Sequence, residues 1–382
     1  MKKGNFCPFT VWHVDVINPN ERLTHPFSNR LTSIVSPLYL FCRSFAILAT
    51  SHFFFFGAIF MQISPSIYEH AAKIIDVTPW EASRSEELMF QAHAEAYRTY
   101  HHTPIMPGID IYNLEPEAYG AVIEKPVGDA IPAVRNHPLQ SLDQILDLKP
   151  LDAKKDGRIP MQIEVARRLI QTFPDATIRV PISGPFSIAS NLLGFNPLIL
   201  ETIDHPEKVK AALLHLVEGQ LSFAQGVKDA GVDITFFESA ACPPMLSEKL
   251  FRQLELPALK KLLQGMSQIV GRPVPCVIGG NTCSIVEAML ETGTTYLACP
   301  FETNQPAFLE KVKDRLDVQI RINCDLRIIA GGTREEIRKE ADRVLAMCKT
   351  RPNVCLGTGA LPYETPPENV LYIMDYVNEV SK

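Results

Sequence analysis

Short apolar segments alternate with amphipathic helical patterns along most of the chain, and this alternation most constrains the fold. Six segments have the length and the β-branched or aromatic content of buried strands. These segments are residues 177–184, 232–239, 273–280, 295–299, 318–325 and 353–359. Helical patterns separate them, such as the one over 206–230. The alternation predicts βαβ units and a parallel sheet.

A further strand is predicted at residues 102–109, directly before an acidic segment that contains Asp110, Glu115 and Glu117. We expect one more strand in a less regular part of the chain. No Gly-x-Gly-x-x-Gly motif follows an early strand, so a dinucleotide-binding sheet is not favoured. The predicted fold is therefore α/β, with the strands closed into a (β/α)8 TIM barrel.

Three Thr-x-x-Glu segments predict the N-termini of helices through capping boxes. They are Thr78–Glu81, Thr333–Glu336 and Thr365–Glu368. Pro follows the Thr in the first and the third, and this position also favours a helix start. We expect the first box to precede a helix over 83–100 and the third to open a helix that ends near Val380.

The first sixty residues differ from the rest, because residues 45–60 form an apolar run. The run is slightly short for a membrane-spanning helix. Three interpretations remain: a mis-assigned start or a poorly ordered extension, a membrane anchor, or a folded element. The first is preferred, since the ordinary sequence of a globular enzyme begins at Met61. We therefore expect residues 1–60 to be an extension and residues 61–382 to form the domain.

The charge and the cysteines limit the partners and the compartment. With a net charge of −6 and no run of Lys or Arg, the chain lacks the basic surface that nucleic acid requires. The nine cysteines include no Cys-x-x-Cys pair, which is typical of reduced thiols inside a cell. We expect a cytoplasmic enzyme that acts on a small molecule and not on nucleic acid, with a homodimer as one assembly to test.

Polar side chains follow the predicted strands, and in a parallel barrel these positions share one mouth. Asp110 and Glu238 end apolar strands, where a carboxyl group can act as a general acid or anchor a cation. The other polar residues at strand ends are Ser183, Ser239, Asn281, Cys299, Asp325 and Thr358. For Ser183, Asn281 and Asp325, a helix N-cap or a loop hydrogen bond is the simpler role.

Three cysteines, Cys242, Cys299 and Cys324, lie near strand ends, where converging thiolates can hold zinc. No His lies beside these strand ends, so buried structural thiols are the preferred interpretation. His101 and His102 precede their predicted strand at the amino-terminal end of a barrel, and we do not expect them to be ligands. The sequence therefore predicts neither a metal ion nor a cofactor.

Several segments together resemble the uroporphyrinogen decarboxylase superfamily, which includes the corrinoid- and coenzyme M-dependent methyltransferases. The resemblance extends from about Tyr68 to Val380. The matching segments are Gly108-Ile-Asp-Ile, residues 183–190, 204–209 and 230–234, Phe237-Glu-Ser-Ala, Gly280-Asn-Thr, Gly357-Thr-Gly and residues 365–369. The resemblance implies a TIM barrel and a tetrapyrrole or a methyl donor as substrate.

Similarity to the decarboxylases implies that Asp110 hydrogen-bonds pyrrole N–H groups and stabilises the cation formed on ring protonation. It also implies that Ser239 contacts the substrate. The decarboxylase arginines that neutralise the many substrate carboxylates are absent, with only Arg84 and Arg98 nearby. Thr358 stands where the decarboxylases have a His in the last strand end.

Similarity to the methyltransferases implies a zinc site, but all three of its ligands are missing. The His-x-Cys-Gly-Asn-Thr segment of that branch appears here as Val277-Ile-Gly-Gly-Asn-Thr282. The later Cys of that branch falls at Thr358. The surrounding Gly-Asn-Thr and Thr-Pro-x-Glu-Asn segments are nevertheless somewhat closer to this branch.

Three hypotheses follow. The first is a metal-independent lyase that resembles the decarboxylase of porphyrin biosynthesis, with Asp110 as its electrostatic centre and Glu238 and Ser239 beside it. Its substrate-binding residues would be Tyr112, Ser183, Asn281 and Thr358. The second is a methyltransferase that works with a corrinoid protein, with zinc lost or rebuilt from Cys299 or Cys324. The third is a non-catalytic barrel that binds a tetrapyrrole or a corrinoid.

Overall fold

Seven parallel strands form one sheet in the computed structural model, which describes residues 62–381. With a separate antiparallel hairpin, the strands are β1 (Ile63–Ser66), β2 (Val122–Glu124), β3 (Ala133–Asn136), β4 (Arg179–Ser183), β5 (Asp233–Glu238), β6 (Cys276–Ile278), β7 (Tyr296–Cys299), β8 (Gln319–Asn323) and β9 (Val354–Ala360). The order across the sheet is β1-β9-β8-β7-β6-β5-β4. The parallel sheet confirms the α/β class and the six strands predicted between residues 177 and 359.

Helices connect the strands, as the alternation predicts. In chain order they are α1 (Glu69–Ile74), α2 (Pro79–Arg84), α3 (Glu86–Tyr100), α4 (Leu114–Ala118), α5 (Leu142–Leu146), α6 (Ile159–Thr172), α7 (Pro185–Leu193), α8 (Phe195–Asp204), α9 (Pro206–Asp229), α10 (Glu248–Leu250), α11 (Leu256–Val270), α12 (Val286–Leu290), α13 (Gln305–Lys311), α14 (Leu326–Gly331), α15 (Arg334–Cys348) and α16 (Pro367–Val380). A π-helical segment, Phe251–Glu255, lies between α10 and α11.

The strand predicted at residues 102–109 is wrong as a regular strand. Only Ile105 pairs there, through a single parallel bridge to Ile178, just before β4. Pro104 and Pro107 lack a backbone N–H, so the segment cannot continue a ladder of hydrogen bonds.

This bridged segment lies between β4 and β1, the two edge strands of the sheet. On the side of β4, the N–H of Ile105 donates to the carbonyl of Thr177 at 2.9 Å. On the side of β1, the hydroxyl of Ser64 donates to the carbonyl of Thr103 at 3.0 Å. The segment therefore contacts both edges, although it adds no eighth strand to the sheet.

Strand β1 lies in the irregular part of the chain, where the sequence indicated no strand. It is four residues long, and Pro65 in its interior removes one donor, so its pattern is weak. It pairs with β9, with Ile63 opposite Leu356. Its carboxyl end, Ser66, leads directly to Tyr68 and Glu69.

Two of the three predicted capping boxes are confirmed. Thr78 and Thr333 each accept from the backbone N–H of the Glu three residues later, and that Glu side chain accepts from the N-cap backbone. The third box is wrong, because Pro366 is the N-cap of α16 and the buried hydroxyl of Thr365 has no partner among the described residues.

The helix predicted over 83–100 is divided in two. Helix α2 ends at Arg84, and Ser85 takes an extended conformation. The side chain of Ser85 then caps α3 by accepting from the N–H of Leu88 at 3.3 Å. A local Ser cap therefore outweighs the helical periodicity that runs through this point.

The alternation of side chains along β8 positions part of the site. Successive residues of a strand point to opposite faces, so Ile320 and Ile322 share one face and Arg321 and Asn323 share the other. The two isoleucines belong to the main hydrophobic core. The opposite face therefore carries a cation and an amide towards the carboxyl end of the sheet.

The apolar run at residues 45–60 lies outside the described residues, so its three interpretations stay predictions. Between residues 62 and 381 no helix combines the length and the apolar character that crossing a bilayer requires. The described cysteines, such as Cys242 and Cys276, are free thiols, as the sequence predicts. The cytoplasmic location stays a prediction.

Candidate active site

A cavity of about 750 Å³ opens at the carboxyl ends of the strands, which is where parallel barrels hold their active sites. Its walls are mostly apolar, with side chains such as Ile109, Phe237, Ile278 and Phe301. The polar side chains in its lining belong to Ser66, Tyr68, Glu69, Asp110, Tyr112, Asn113, Glu302, Arg321, Asn323, Asp325 and Arg327. An apolar cavity with a few placed polar groups is typical of a site for a small organic molecule.

Asp110 lies in the wall of this cavity, but both of its carboxylate oxygens are engaged. Arg158 donates from Nη1 to Oδ1 and from Nη2 to Oδ2, each at 2.8 Å. Asn113 donates its amide to Oδ2 at 3.1 Å. The Asp110 side chain is only 2% exposed, so this bidentate ion pair is shielded from water. Asp110 is therefore a fixed, paired charge.

Arg158 also binds a second carboxylate, that of Glu117. Arg158 donates from Nε to Glu117 at 2.6 Å, and Arg84 donates to the other oxygen of Glu117. Arg158 also donates to the carbonyl of Ser83 at 3.0 Å. No local pattern predicts Arg158, because it precedes α6 and lies 48 residues beyond Asp110. Only the folded chain brings the arginine to the acidic segment.

Glu69 is another carboxyl group of the cavity, and sequence reasoning missed it. It begins α1 just after β1, and it is 7% exposed. No ion-pair partner for Glu69 exists within residues 62–381. Burial raises the pKa of Glu69 to about 7. A carboxyl group with such a pKa can donate or accept a proton near neutral pH.

Arg321 and Asn323 of β8 also line the cavity and were also missed. Both are buried, with exposed fractions of 4% and 7%. The signal was present in the sequence, since Arg at the centre of the segment Gln-Ile-Arg-Ile-Asn is unusual in a strand of a buried parallel sheet.

Tyr112 lies in the cavity wall, and Ser239 lies behind it. Burial raises the pKa of Tyr112, so its phenol stays protonated and can donate a hydrogen bond. Its backbone carbonyl accepts from the amide of Asn191 at 3.0 Å. Ser239 contacts the Tyr112 side chain, and its hydroxyl lies 3.3 Å from that of Ser187. Ser239 is therefore placed to position Tyr112.

Glu238 is buried and binds protein groups outside the cavity lining. Its Oε1 accepts from the backbone N–H groups of Ser239 and Ala240, each at 2.7 Å, and its Oε2 from that of Ser187 at 3.1 Å. Burial raises the pKa of Glu238, against the effect of these hydrogen bonds. A Cβ at Gly184 would collide with this carboxyl group. The contacts join the end of β5 to the start of α7.

The remaining predicted substrate-binding residues also lie outside the cavity lining. Ser183 donates its backbone N–H and its hydroxyl to Glu115, at 2.7 and 2.8 Å. The buried hydroxyl of Thr358 accepts from the N–H of Ser66 at 3.1 Å. Asn281 is exposed beside the cavity. The structure thus does not bring these three side chains to the cavity with Asp110.

The side chains present do not fit the zinc that resemblance to the methyltransferases implies. At the three ligand positions the chain has Val277, Gly279 and Thr358, which supply neither a thiolate nor an imidazole. Burial raises the pKa of the Cys299 and Cys324 thiols well above the usual range. In the part of the chain that the structure describes, no three His, Cys, Asp or Glu side chains converge as a metal site.

Comparisons with known proteins agree on one family. A family model described as uroporphyrinogen decarboxylase (URO-D) matches residues 58–380. The uroporphyrinogen decarboxylase of Thermus thermophilus is 27% identical over 290 residues, covering 72% of this chain and 75% of that protein. The methylcobamide:CoM methyltransferase of Methanosarcina barkeri is 26% identical over 224 residues, covering 58% and 64%. A solved methyltransferase from Methanosarcina mazei, 21% identical, shares the fold with a TM-score of 0.73 over 84% of this chain and 94% of that one.

Proposed function

Because the chain belongs to the uroporphyrinogen decarboxylase family, we propose that it is an enzyme that removes carbon dioxide from an organic acid without a bound metal ion. Glu69 is the proton donor, and Asp110, held by Arg158, supplies a fixed negative charge. The observation that carries this proposal is that an unpaired carboxyl group and an ion-paired one line the same apolar cavity.

The two carboxyl groups differ in the way that acid and electrostatic roles require. Glu69 is buried and has no cationic partner in the described part of the chain, and burial raises its pKa, so its protonated form is favoured. Asp110 accepts hydrogen bonds from Arg158 and Asn113 and is held in a bidentate ion pair. Two carboxyl groups in such different environments are typical of a proton donor beside an anionic stabiliser.

The proposed reaction balances with these groups. Glu69 protonates the substrate and gives a cation, which Asp110 stabilises. The bond between the substrate carbon and its carboxylate then breaks, carbon dioxide leaves, and the bonding electrons neutralise the cation. The proton stays on the substrate carbon framework, and Glu69 recovers a proton from water. Asp110 acts in this scheme as one half of the pair with Arg158.

The charge of the cavity favours a substrate with few negative charges. Its lining contains four carboxyl groups but only two guanidinium groups. The carboxyl groups are Glu69, Asp110, Glu302 and Asp325, and the guanidinium groups are Arg321 and Arg327. Because Arg327 already pairs with Asp325, an acid with many carboxylates would find only Arg321 there as a cation without a carboxylate partner among the described residues. We therefore favour a small organic acid over a tetrapyrrole with many carboxylates.

The sheet is proposed to be a closed barrel in which the segment around Ile105 takes the eighth position. The bridge to Ile178 and the hydrogen bond from Ser64 to Thr103 support this, since they contact the two edge strands. Closure would place β1, and with it Glu69, beside the Asp110 segment.

The test is release of carbon dioxide from a panel of aromatic and heterocyclic carboxylic acids by the purified protein. For the best substrate, Glu69→Gln is expected to lower kcat at least about a hundredfold, because it removes the proton donor. Asp110→Asn is expected to lower kcat less, by about tenfold to a hundredfold, since Arg158 already compensates part of its charge. The kcat of the wild type is expected to fall above pH 7, where Glu69 loses its proton.

The matched control is Asp143→Asn, which changes a carboxylate on the outside of the domain that pairs with Lys208 at 2.6 Å. This variant should keep the wild-type kcat. Glu69→Gln with unchanged kcat and an unchanged pH profile would refute the role of Glu69. Loss of activity in the control would show that carboxylate substitutions act through general damage to the fold.

A second candidate is methyl transfer with a corrinoid protein as partner. It is favoured by the 26% identity to the methyltransferase of Methanosarcina barkeri. Its test is demethylation of methylcobalamin, followed together with the zinc content of the purified protein. Demethylation without carbon dioxide release from any acid would replace the first proposal by this one.

A further inference from the structure

Arg321 is a cation in the cavity lining and has no function in the proton transfer proposed above. We propose that Arg321, Asn323 and Ser66 form a binding site for one anionic group of the substrate, a carboxylate, sulfonate or phosphate that is retained in the reaction. This inference rests on the proposed function only in taking the cavity as the site of a small-molecule substrate.

Arg321 is a buried cation without a carboxylate partner among the described residues. Its Nη1 donates to the hydroxyl of Ser66 at 2.9 Å, and its buried Nε has no partner among residues 62–381. None of the ion pairs in this part of the chain includes Arg321, whereas Arg158, in the same cavity region, contacts two carboxylates. A buried charge without a partner is costly, so a ligand anion at Arg321 would recover part of that cost.

Asn323 adds a neutral donor next to this cation. It lies two residues along β8 from Arg321, on the same face of the strand. Its side-chain amide nitrogen donates to no described residue, and its buried Oδ1 accepts from none. An amide beside a guanidinium group can donate to one oxygen of an anion while the guanidinium donates to the others.

The neighbouring strands leave room for this arrangement. Gly357 of β9 lies opposite Asn323 in register, between β8 and β1. A Cβ there would lie 2.7 Å from Cγ and Cδ of Arg321 and would also collide with Oδ1 of Asn323. Without a side chain at this position, Arg321 crosses β9 and reaches Ser66. The lack of a side chain at Gly357 therefore allows Arg321 and Asn323 to lie close against β9.

Anchoring at Arg321 would fix the orientation of the substrate. Ser66, which accepts from Arg321, precedes Glu69 by three residues, so the anchor and the proposed proton donor both depend on the end of β1. The apolar body of the substrate would lie against side chains such as Phe237 and Ile278. The group lost as carbon dioxide is then a different one from the group that Arg321 holds.

The test measures binding of simple probes to the full-length protein, without turnover. Benzoate, benzenesulfonate and phenyl phosphate are compared with the neutral benzamide by isothermal titration calorimetry. At least one anion is expected to bind about tenfold or more tightly than benzamide, which corresponds to about 1.4 kcal/mol. The anion that binds most tightly identifies the class of group that the site accepts.

The variants assign the binding to Arg321. Arg321→Gln should reduce the preference for the anion to less than about threefold, and Arg321→Lys should keep part of it, since a charged side chain binds anions even without the planar fork. The control is Arg315→Gln, which removes a cation outside the cavity lining that is 40% exposed and already paired with Asp317 at 2.8 Å. This control should keep the preference for the anion.

Equal binding of the anions and benzamide by the wild type would overturn the inference, whether or not Arg321→Gln folds. An unchanged preference in a folded Arg321→Gln variant would overturn it as well. These outcomes are independent of the kcat of Glu69→Gln. Anion binding at Arg321 together with full activity of Glu69→Gln would refute the proposed proton donor and leave the anion site intact.

Discussion

The two charged walls of the cavity are built in opposite ways. On one wall, Asp110 pairs with Arg158, which also pairs with the partly exposed Glu117 behind the wall, so each of these charges has a partner of opposite sign. On the other wall, Arg321 is as deeply buried, donates to the hydroxyl of Ser66 and lies near the phenol of Tyr296, but it has no carboxylate partner in the described part of the chain. The charges of the first wall are thus paired within the protein, whereas Arg321 on the second wall can still bind an anion.

This difference separates groups that hold the site from groups that bind a ligand. A saturated ion pair has few free hydrogen-bonding sites, so it acts on a substrate through its fixed charges and not by direct hydrogen bonds. An unsaturated buried cation lowers stability until an anion arrives. We therefore interpret Asp110 with Arg158 as a fixed electrostatic wall and Arg321 as the anchor.

The largest expected effect is on stability, and it comes from removing Arg158, the cation that Asp110 and Glu117 share. Arg158→Gln leaves the buried carboxylate of Asp110 without its cation, while the partly exposed Glu117 keeps Arg84. We expect a loss of about 3–5 kcal/mol in the free energy of unfolding. Urea denaturation monitored by circular dichroism measures it. The double variant Arg158→Gln with Asp110→Asn should recover part of this loss. A loss below about 1 kcal/mol would show that the wall contributes no more than a surface pair.

A second prediction tests whether every unsaturated buried group must indicate a ligand. His102 is 2% exposed, and neither ring nitrogen has a partner among residues 62–381. Burial lowers the pKa of His102 from 6.5 to about 3, so it is neutral in the folded protein at pH 7 and lies outside the cavity lining. Besides the cost of burying its unpaired nitrogens, which does not depend on pH, such a group costs stability where the unfolded chain takes up a proton that the folded one does not.

His102→Phe removes that proton linkage. Between pH 6.5 and 3 the unfolded wild type binds the proton first, so the stability of the wild type falls as pH falls through this window. The variant should match the wild type within about 1 kcal/mol at pH 7 and exceed it by about 2–3 kcal/mol at pH 4.5. Urea denaturation at both pH values is the measurement. An equal difference at both values would contradict the neutral state of His102.

The smallest expected effect is on anion binding at Arg321, and it tests how that side chain is positioned. Gly357→Ala should displace Arg321 and Asn323 and weaken binding of the preferred anionic probe about tenfold, or about 1.4 kcal/mol. Gly331→Ala is the matched control, because a Cβ there meets no atom within 4 Å. Unchanged anion affinity in Gly357→Ala would mean that the anchor does not depend on this close approach.

The sequence predicts the regular part of the fold well, because strand and helix periodicities there are local. The strands from β4 to β9 and the capping boxes at Thr78 and Thr333 follow from patterns within a few residues. In the irregular parts of the fold, the prediction also fails for a local reason. Proline interrupts both β1 and the segment around Ile105, so neither shows an uninterrupted strand pattern.

The site is predicted less completely, because its important contacts are not local. Asp110 and Tyr112 reach the cavity, as their position directly after the segment 102–109 indicates, although that segment is not a regular strand. Arg158 cannot be assigned from spacing, since it reaches Asp110 only through the packing of α6. Arg321 has a local signal, because it is a cation within a buried strand. Glu69 also has one, because it is an acid after a strand end, but this signal can be read only once β1 has been recognised.

The most direct test of the proposed chemistry is the titration of Glu69 itself. Protein labelled with 13C at the glutamate side-chain carboxyl carbons is titrated by NMR, and Glu69→Gln identifies the resonance by its loss. The proposal predicts a midpoint near pH 7 for Glu69, which keeps the proton donor loaded at neutral pH. A midpoint near the ordinary value of 4.5 would contradict it, because Glu69 would then be ionised and unable to protonate the substrate.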